Sequence, residues 1–388
     1  MLNRSYTDHM ADLLTSFRHE LHAHPELAHA EHSTAERVVR FMQQFNPTEI
    51  VTGIGGTGVV ITFDSGVDGP RMLFRCELDA LPIVESGVDG YASVEVGVSH
   101  KCGHDGHMAM IAGLGQALSQ RPLKRGVVHL LFQPAEETGT GASAVLDDHA
   151  FARFRPDFAV AIHNMPGFPL HAMVIKSGSI TAAVRSFVVR FTGRVAHASE
   201  PEKGENPSFA VADLLRDANA LVIADQLDPN FRLVTPVHVS VGSVAYGVAA
   251  GEGEVHFTIR ASSNDGLANL QQEITDIAER VAARDRLAVT VEVVEDFYAN
   301  INDPEVTERV RRAAEACGHE IVEPDVGMRA GEDFGLFTER FPCCLVLLGA
   351  GEDHLPIHNA SYDFPDELIT TGVELFEQIV RDAEEHFS

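Results

Sequence analysis

Along the first half of the chain, apolar positions alternate between helical spacing and short unbroken runs. Leu13, Leu14, Phe17 and Leu21 share one helical stripe, which predicts a helix over about 11–22. A second is expected from Ser33, where Glu36 completes a capping-box pattern ahead of Val38, Phe41, Met42 and Phe45. The runs 58–63, 72–78, 127–132 and 157–162 read as buried strands, and 106–118 as a helix between two of them. This alternation predicts an α/β sheet covered by helices.

From about Ser179 the period shortens to two. Phe187, Val189 and Phe191 alternate with Ser186, Val188 and Arg190, and the same pattern returns at 237–241, 255–259 and 287–293. Helical stretches at 207–224 and 267–283 separate these strands. The resulting order, β-α-β-β-α-β, is the split ferredoxin-like unit. The expected organisation is therefore a first domain of 1–178 and 295–388, interrupted by an inserted domain of 179–294. A helix over 304–316 and a buried strand over 344–348 return the chain to the first domain.

A chain of 388 residues exceeds what one core usually covers, in keeping with two domains. Its 57 acidic and 29 basic residues leave a formal charge of −28, which argues against nucleic acid and against an anionic membrane surface as partners. No apolar run approaches the ~20 residues that span a bilayer. The stretch 1–10 is polar and lacks the features of a secretory signal. Cys76, Cys102, Cys317, Cys343 and Cys344 are odd in number and form no disulfide framework, which suits a reducing compartment. A cytoplasmic location is expected.

The chemistry concentrates in His100-Lys101-Cys102-Gly103-His104-Asp105-Gly106-His107, three histidines, a cysteine and an aspartate just before a helix. Thiolate and imidazole are good ligands for zinc and its neighbours, and an i, i+2 spacing in a loop lets Cys102 and His104 converge. Next, Gln133-Pro134-Ala135-Glu136-Glu137 follows a buried strand, at the end of the sheet where α/β proteins bind ligands. Two adjacent carboxylates invite a division of labour, one ligating metal and one taking a proton from water. Spacing does not say which does which. His163 directly follows the 157–162 strand, and His358 follows 344–348 after a short loop.

These segments, with Arg18-His19-Glu20-Leu21-His22, Glu77-Leu78-Asp79-Ala80-Leu81-Pro82, Ala196-His197-Ala198 and Gly331-Glu332-Asp333-Phe334, run in order along nearly the whole chain. Their pattern resembles the amidohydrolase branch of the aminoacylase/carboxypeptidase-like dinuclear metallopeptidases, which includes hippurate hydrolases and indoleacetyl-amino-acid hydrolases. The resemblance implies a phosphorylase/hydrolase-like α/β catalytic domain with an inserted ferredoxin-like dimerisation or lid domain. It implies two divalent ions per subunit (zinc, or manganese, cobalt or nickel) held by Cys102, His104, Glu137, His163 and His358. It assigns Glu136 as the general base and acid. It further implies a homodimer or higher homo-oligomer in which His197 reaches the partner's site, while Arg260 binds a substrate carboxylate. The implied substrate is a small N-acyl amino acid or a dipeptide-like molecule. Asp79 is expected either to orient ligands or to be a strand-end turn residue.

Three positions depart from the resemblance. Glu202 stands where a second histidine is usual, Gly247 where an asparagine is common, and Glu77 where a smaller polar residue is common. Two other readings compete. A thiol enzyme with Cys102 as nucleophile leaves Glu136, Glu137 and His358 idle. A non-catalytic metal- or ligand-binding protein on the same scaffold has no use for a free base at Glu136.

Overall fold

The structure, a computed structural model, describes residues 4–386; part of the polar stretch 1–10 lies outside the described residues. It divides into two compact units. One holds the chain up to Ile180, Asn300–Pro324 and Asp333 onward; the other holds Thr181–Ala299 and Asp325–Glu332.

The first unit is built on a mixed eight-stranded sheet. Its order is Glu49–Ile54, Gly58–Asp64, Val127–Gln133, Arg71–Glu77, Phe158–Met165, Cys343–Gly349, Met173–Val174 and Ile321–Val322. Four adjacent members, Val127–Gln133, Arg71–Glu77, Phe158–Met165 and Cys343–Gly349, are mutually parallel. Almost every residue of these four is buried, as the unbroken apolar runs required. The Gly58–Asp64 strand pairs antiparallel with Val127–Gln133 and extends the sheet past the parallel centre.

The helices follow the expected stripes with two differences. Leu14, Phe17 and Leu21 are buried in the Arg4–Ala23 helix, and Val38 and Met42 in His32–Gln43. The expected Ser33–Glu36 capping box does not form. Glu26, in the preceding loop, takes the Ser33 and Thr34 N–H groups at 3.2 and 2.7 Å. A carboxylate from outside the helix meets the orphan donors of the first turn, so Glu36 is not needed for that job. The second difference is Leu368–His386, a helix absent from the sequence reading. It buries Leu375, Phe376, Ile379 and Val380 in the same core as the His104–Gln120 helix.

The second unit has the order strand Ala183–Thr192, helix Ser208–Asn219, strands Arg232–Val241 and Glu252–Ala261, helix Asn264–Asp285 and strand Ala288–Phe297. Its sheet is antiparallel, with Glu252–Ala261 and Ala183–Thr192 central. This is the ferredoxin-like arrangement. Phe187, Val189, Phe191, Val255, Phe257 and Ile259 face Leu214, Leu267, Leu270 and Ile274 of the two helices. One alternating face thus makes the core, and the other carries Glu254, His256, Thr258 and Arg260, which are half-buried. Among the described residues, no helix is long and apolar enough to cross a membrane.

Candidate metal centre

The four parallel strands end side by side, and each delivers chemistry at or just beyond its carboxyl end. Arg71–Glu77 leads to Asp79, Val127–Gln133 to Glu136 and Glu137, and Cys343–Gly349 to His358. His163 lies inside Phe158–Met165 rather than after it, because the strand runs three residues further than its apolar run suggests. His104 is the first residue of its helix rather than part of the loop before it. Cys102 precedes it across Gly103, whose φ of 100° is left-handed. A Cβ on Gly103 would stand 2.3 Å from Asn164 Oδ1, so both the turn and the space demand glycine. Ala135 and His358 also have positive φ, 53° and 65°, conformations that non-glycine residues hold only when their surroundings compel it. At Ala135 the compulsion includes Glu31, whose carboxylate takes the Ala135 N–H at 2.8 Å.

Within this unit Cys102, His104 and His163 bring donor atoms within 4.8 Å of one another. So do Cys102, Glu137 and His358, and so do His104, Glu136 and Glu137. His104 donates from Nδ1 to the Asp79 carbonyl at 2.8 Å. Its Nε2 is buried without a hydrogen-bond partner, 3.8 Å from both Glu136 Oε2 and Glu137 Oε1. His163 likewise donates from Nδ1 to a carbonyl, that of Asn164 at 2.7 Å, and sets Nε2 3.4 Å from Cys102 Sγ. With Nδ1 held by a carbonyl, each ring in its neutral form presents its lone pair on Nε2, the tautomer a metal ligand needs. His358 Nε2 stands 3.6 Å from Glu137 Oε2. Asp79 takes the Glu137 N–H on Oδ2 at 2.9 Å, so it meets His104 through its backbone carbonyl and Glu137 through its carboxylate.

The electrostatics invite a cation. Burial disfavours protonation of His104, yet Asp79, Glu77 and Glu137 outweigh it and push its pKa up to about 10. Burial, followed by repulsion from His107, drives His163 down to about 3. Burial and then the Glu137 and Glu136 carboxylates hold the Cys102 thiol well above its usual value. A buried thiol among carboxylates ionises only when positive charge arrives. The orphaned Nε2 of His104, the two clusters that share Cys102, and the thiolate–imidazole–carboxylate chemistry all fit a pair of divalent ions.

Beneath the donors lies a buried polar layer that the sequence reading left unassigned. His107 joins Glu77 Oε2 at 2.6 Å and Asn164 Oδ1 at 2.5 Å, and Asn164 reaches the Tyr362 hydroxyl at 2.6 Å. Arg75 pairs with both Glu77 and Asp333. Burial opposes ionisation of Glu77, but Arg75 and then His107 bring its pKa well below the carboxylate norm. Gln133 donates to both carboxylate oxygens of Asp333 at 2.9 Å. His107 and Gln133 were visible inside the motifs; Arg75 had no sequence signal beyond an arginine in an apolar run. Cys76 is a buried core residue, as its place in the strand implied.

His197 and Arg260 stand in the second unit. His197 is exposed, and its Nδ1 accepts the Ser199 N–H at 3.1 Å, which leaves the proton on Nε2 in the neutral ring. Arg260 is half-buried on the sheet face away from the helices.

An α/β sheet with a ferredoxin-like insertion and this donor cluster defines a class, that of metallopeptidase-like α/β proteins. Residues 73–382 match the sequence profile of Peptidase family M20/M25/M40, and the chain belongs to that family. The hippurate hydrolase of Campylobacter jejuni is 30% identical over 365 residues, covering 93% of this chain and 94% of the relative. The N-acetyl-L-cysteine deacetylase of Bacillus subtilis is 29% identical, covering 95% and 88%. Among solved structures, the Bacillus subtilis YXEP protein, a dinuclear metal binding peptidase from the M20 family, superposes with a TM-score of 0.84 at 26% identity. That match covers 98% of this chain and 99% of that one. The family resemblance read from the motifs is borne out.

Proposed function

We propose that the chain is a metal-dependent amidohydrolase that removes the acyl group from small N-acyl amino acids. The observation that carries this reading is Glu136, a carboxylate beside two donor clusters that share Cys102. The hydrolases and deacetylases among its relatives support it. Cys102, His104 and His163 would hold one cation, and Cys102, Glu137 and His358 the other. Zinc suits the thiolate, and manganese, cobalt or nickel suit the imidazoles and carboxylate. Bound there, divalent ions supply Lewis-acid polarisation of a carbonyl and acidify water.

The chain's own residues do the proton work. Glu136 takes a proton as the water oxygen adds to the amide carbon, then passes it to the departing nitrogen as the C–N bond breaks. The products are a carboxylic acid and an amine. In a homodimer, His197 of one copy donates its Nε2–H to the oxyanion forming in the other. Arg260 receives the substrate carboxylate through its guanidinium. The cytoplasm is the compartment that suits five free cysteines.

The Cys102–His163 contact also suits a thiol nucleophile. A thiol pushed upward by burial is the opposite of an activated one, so the metal-ligand role is preferred.

The test is hydrolysis of a panel of N-acyl amino acids, dipeptides and aryl-amide conjugates by metal-stripped, metal-restored and Glu136→Ala protein. Turnover should vanish with the metal, return with it, and fall ~10²–10⁴-fold in the variant. Cleavage of dipeptides in preference to N-acyl amino acids would make the chain a dipeptidase with the same machinery. No turnover of any substrate by the metal-loaded protein would overturn the reading.

A further inference from the structure

Arg260 and Arg329 are neighbours within the second unit, and neither is neutralised. Arg260 gives its Nε–H to the Arg329 carbonyl at 2.9 Å. Arg329 gives its own Nε–H to Gln226 Oε1 at 2.9 Å, and Gln226 is fixed in turn by a 3.1 Å bond to the Gly327 carbonyl. The Arg329 guanidinium also rests on the Phe231 ring, 5.6 Å from its centroid. Each guanidinium is thus anchored through Nε by a neutral acceptor. The two terminal nitrogens of each, the fork that takes a carboxylate end-on, have no partner among the described residues.

Most other arginines of the unit are paired. Arg185, Arg190 and Arg232 each pair with a carboxylate, and the chain carries 57 acidic residues against 29 basic. Around Arg260 the influences are burial and then the charge of Arg329, with no acidic group opposing them. Two anchored like charges repel, and an anion that bridges them relieves the repulsion.

We propose that Arg329 is a specificity-determining residue that acts with Arg260 to select substrates carrying two carboxylates. One fork receives the α-carboxylate of the amino-acid part, and the other receives a second carboxylate. The inference rests on the amidohydrolase reading above, in which Arg260 meets the substrate. The second carboxylate has two chemical sources, an aspartate- or glutamate-type side chain or a dicarboxylic acyl group.

Four substrates separate them: N-acetyl-L-glutamate, N-acetyl-L-glutamine, N-succinyl-L-alanine and N-acetyl-L-alanine. Each is assayed with metal-loaded wild type, Arg329→Gln and Arg329→Lys. The wild type should favour one diacid over its monocarboxylate counterpart by about tenfold in kcat/KM, and the favoured diacid names the source. Arg329→Gln should erase that preference, mainly through KM, and leave the monocarboxylate substrates within about twofold; Arg329→Lys should restore part of it, since charge survives but the fork does not. Equal rates on diacid and monocarboxylate substrates would overturn the proposal, as would an Arg329→Gln variant that loses activity on both alike. Calorimetric titration with glutarate against butyrate keeps the two readings apart. Glutarate binding that depends on Arg329 in a protein that cuts nothing would uphold the anion pair and sink the amidohydrolase; no preference for glutarate would sink the pair.

Discussion

The Asp333 backbone N–H donates to Glu136 Oε1 at 3.3 Å, so the carboxylate at the centre of the site hangs from a residue 197 positions away. That donor is itself clamped, because the Asp333 side chain is gripped by Arg75 and Gln133 and takes the Ala142 N–H at 2.8 Å. This buried lattice thus reaches Glu136 through the Asp333 backbone and helps to orient it.

Loosening the clamp should therefore harm turnover more than binding. Asp333→Asn is expected to lower kcat by ~10–100-fold with little change in KM and with metal content retained. It should also cost about 3 kcal/mol of stability, since Arg75 loses a buried partner. Steady-state kinetics and urea unfolding measure both. A raised KM at normal kcat would show that Asp333 does not position Glu136.

Because both donor clusters include Cys102, its replacement should affect both ions. Cys102→Ser is expected to bring metal content from two ions per chain to well below one, whereas His163→Ala should spare the ion at Glu137 and His358. Elemental analysis after dialysis against trace metal decides the matter. Two ions retained by the serine variant would rule out the shared-ligand assignment.

Gly103→Ala tests the turn that aims Cys102 and His104. The left-handed backbone and the approach to Asn164 Oδ1 should together cost about 2 kcal/mol or more and weaken metal binding in parallel. Thermal denaturation with and without metal gives both numbers, and an unchanged midpoint would refute the steric argument.

His129 makes stability pH-dependent independently of the metal centre. It is buried in the Val127–Gln133 strand, its Nδ1 lies 3.0 Å from the Thr62 hydroxyl, and its Nε2 has no partner. Burial, followed by the charge of Arg71, lowers its pKa to about 4. A pKa lower in the folded than in the unfolded chain means that the unfolded chain binds more protons between about 6.5 and about 4. Stability is thus complete above that window and falls as pH drops through it, by about 3 kcal/mol in total. Urea midpoints of metal-free protein at pH 7 and pH 5 should diverge less in His129→Leu than in the wild type. An equal loss in both would assign the pH dependence to other groups.

The sequence by itself determined everything carried by local periodicity and short-range spacing. Unbroken apolar runs marked the four parallel strands, the two-residue alternation marked the ferredoxin-like unit, and Cys102-Gly103-His104 and Glu136-Glu137 put the site's donors on view. These signals are legible because a strand's burial or a turn's chemistry is written in neighbouring residues. Only the tertiary structure decided which strands lie side by side, and hence that His163 and His358, 195 residues apart in number, meet the same cysteine. It likewise decided that Glu26 rather than Glu36 serves the second helix, and that Arg75 and Asp333, 258 residues apart, share a buried bond. Arg329 and Arg260, 69 apart, met only through the fold as well. A pairing between distant side chains leaves no period in the chain, because it depends on sheet order and loop path rather than on neighbours.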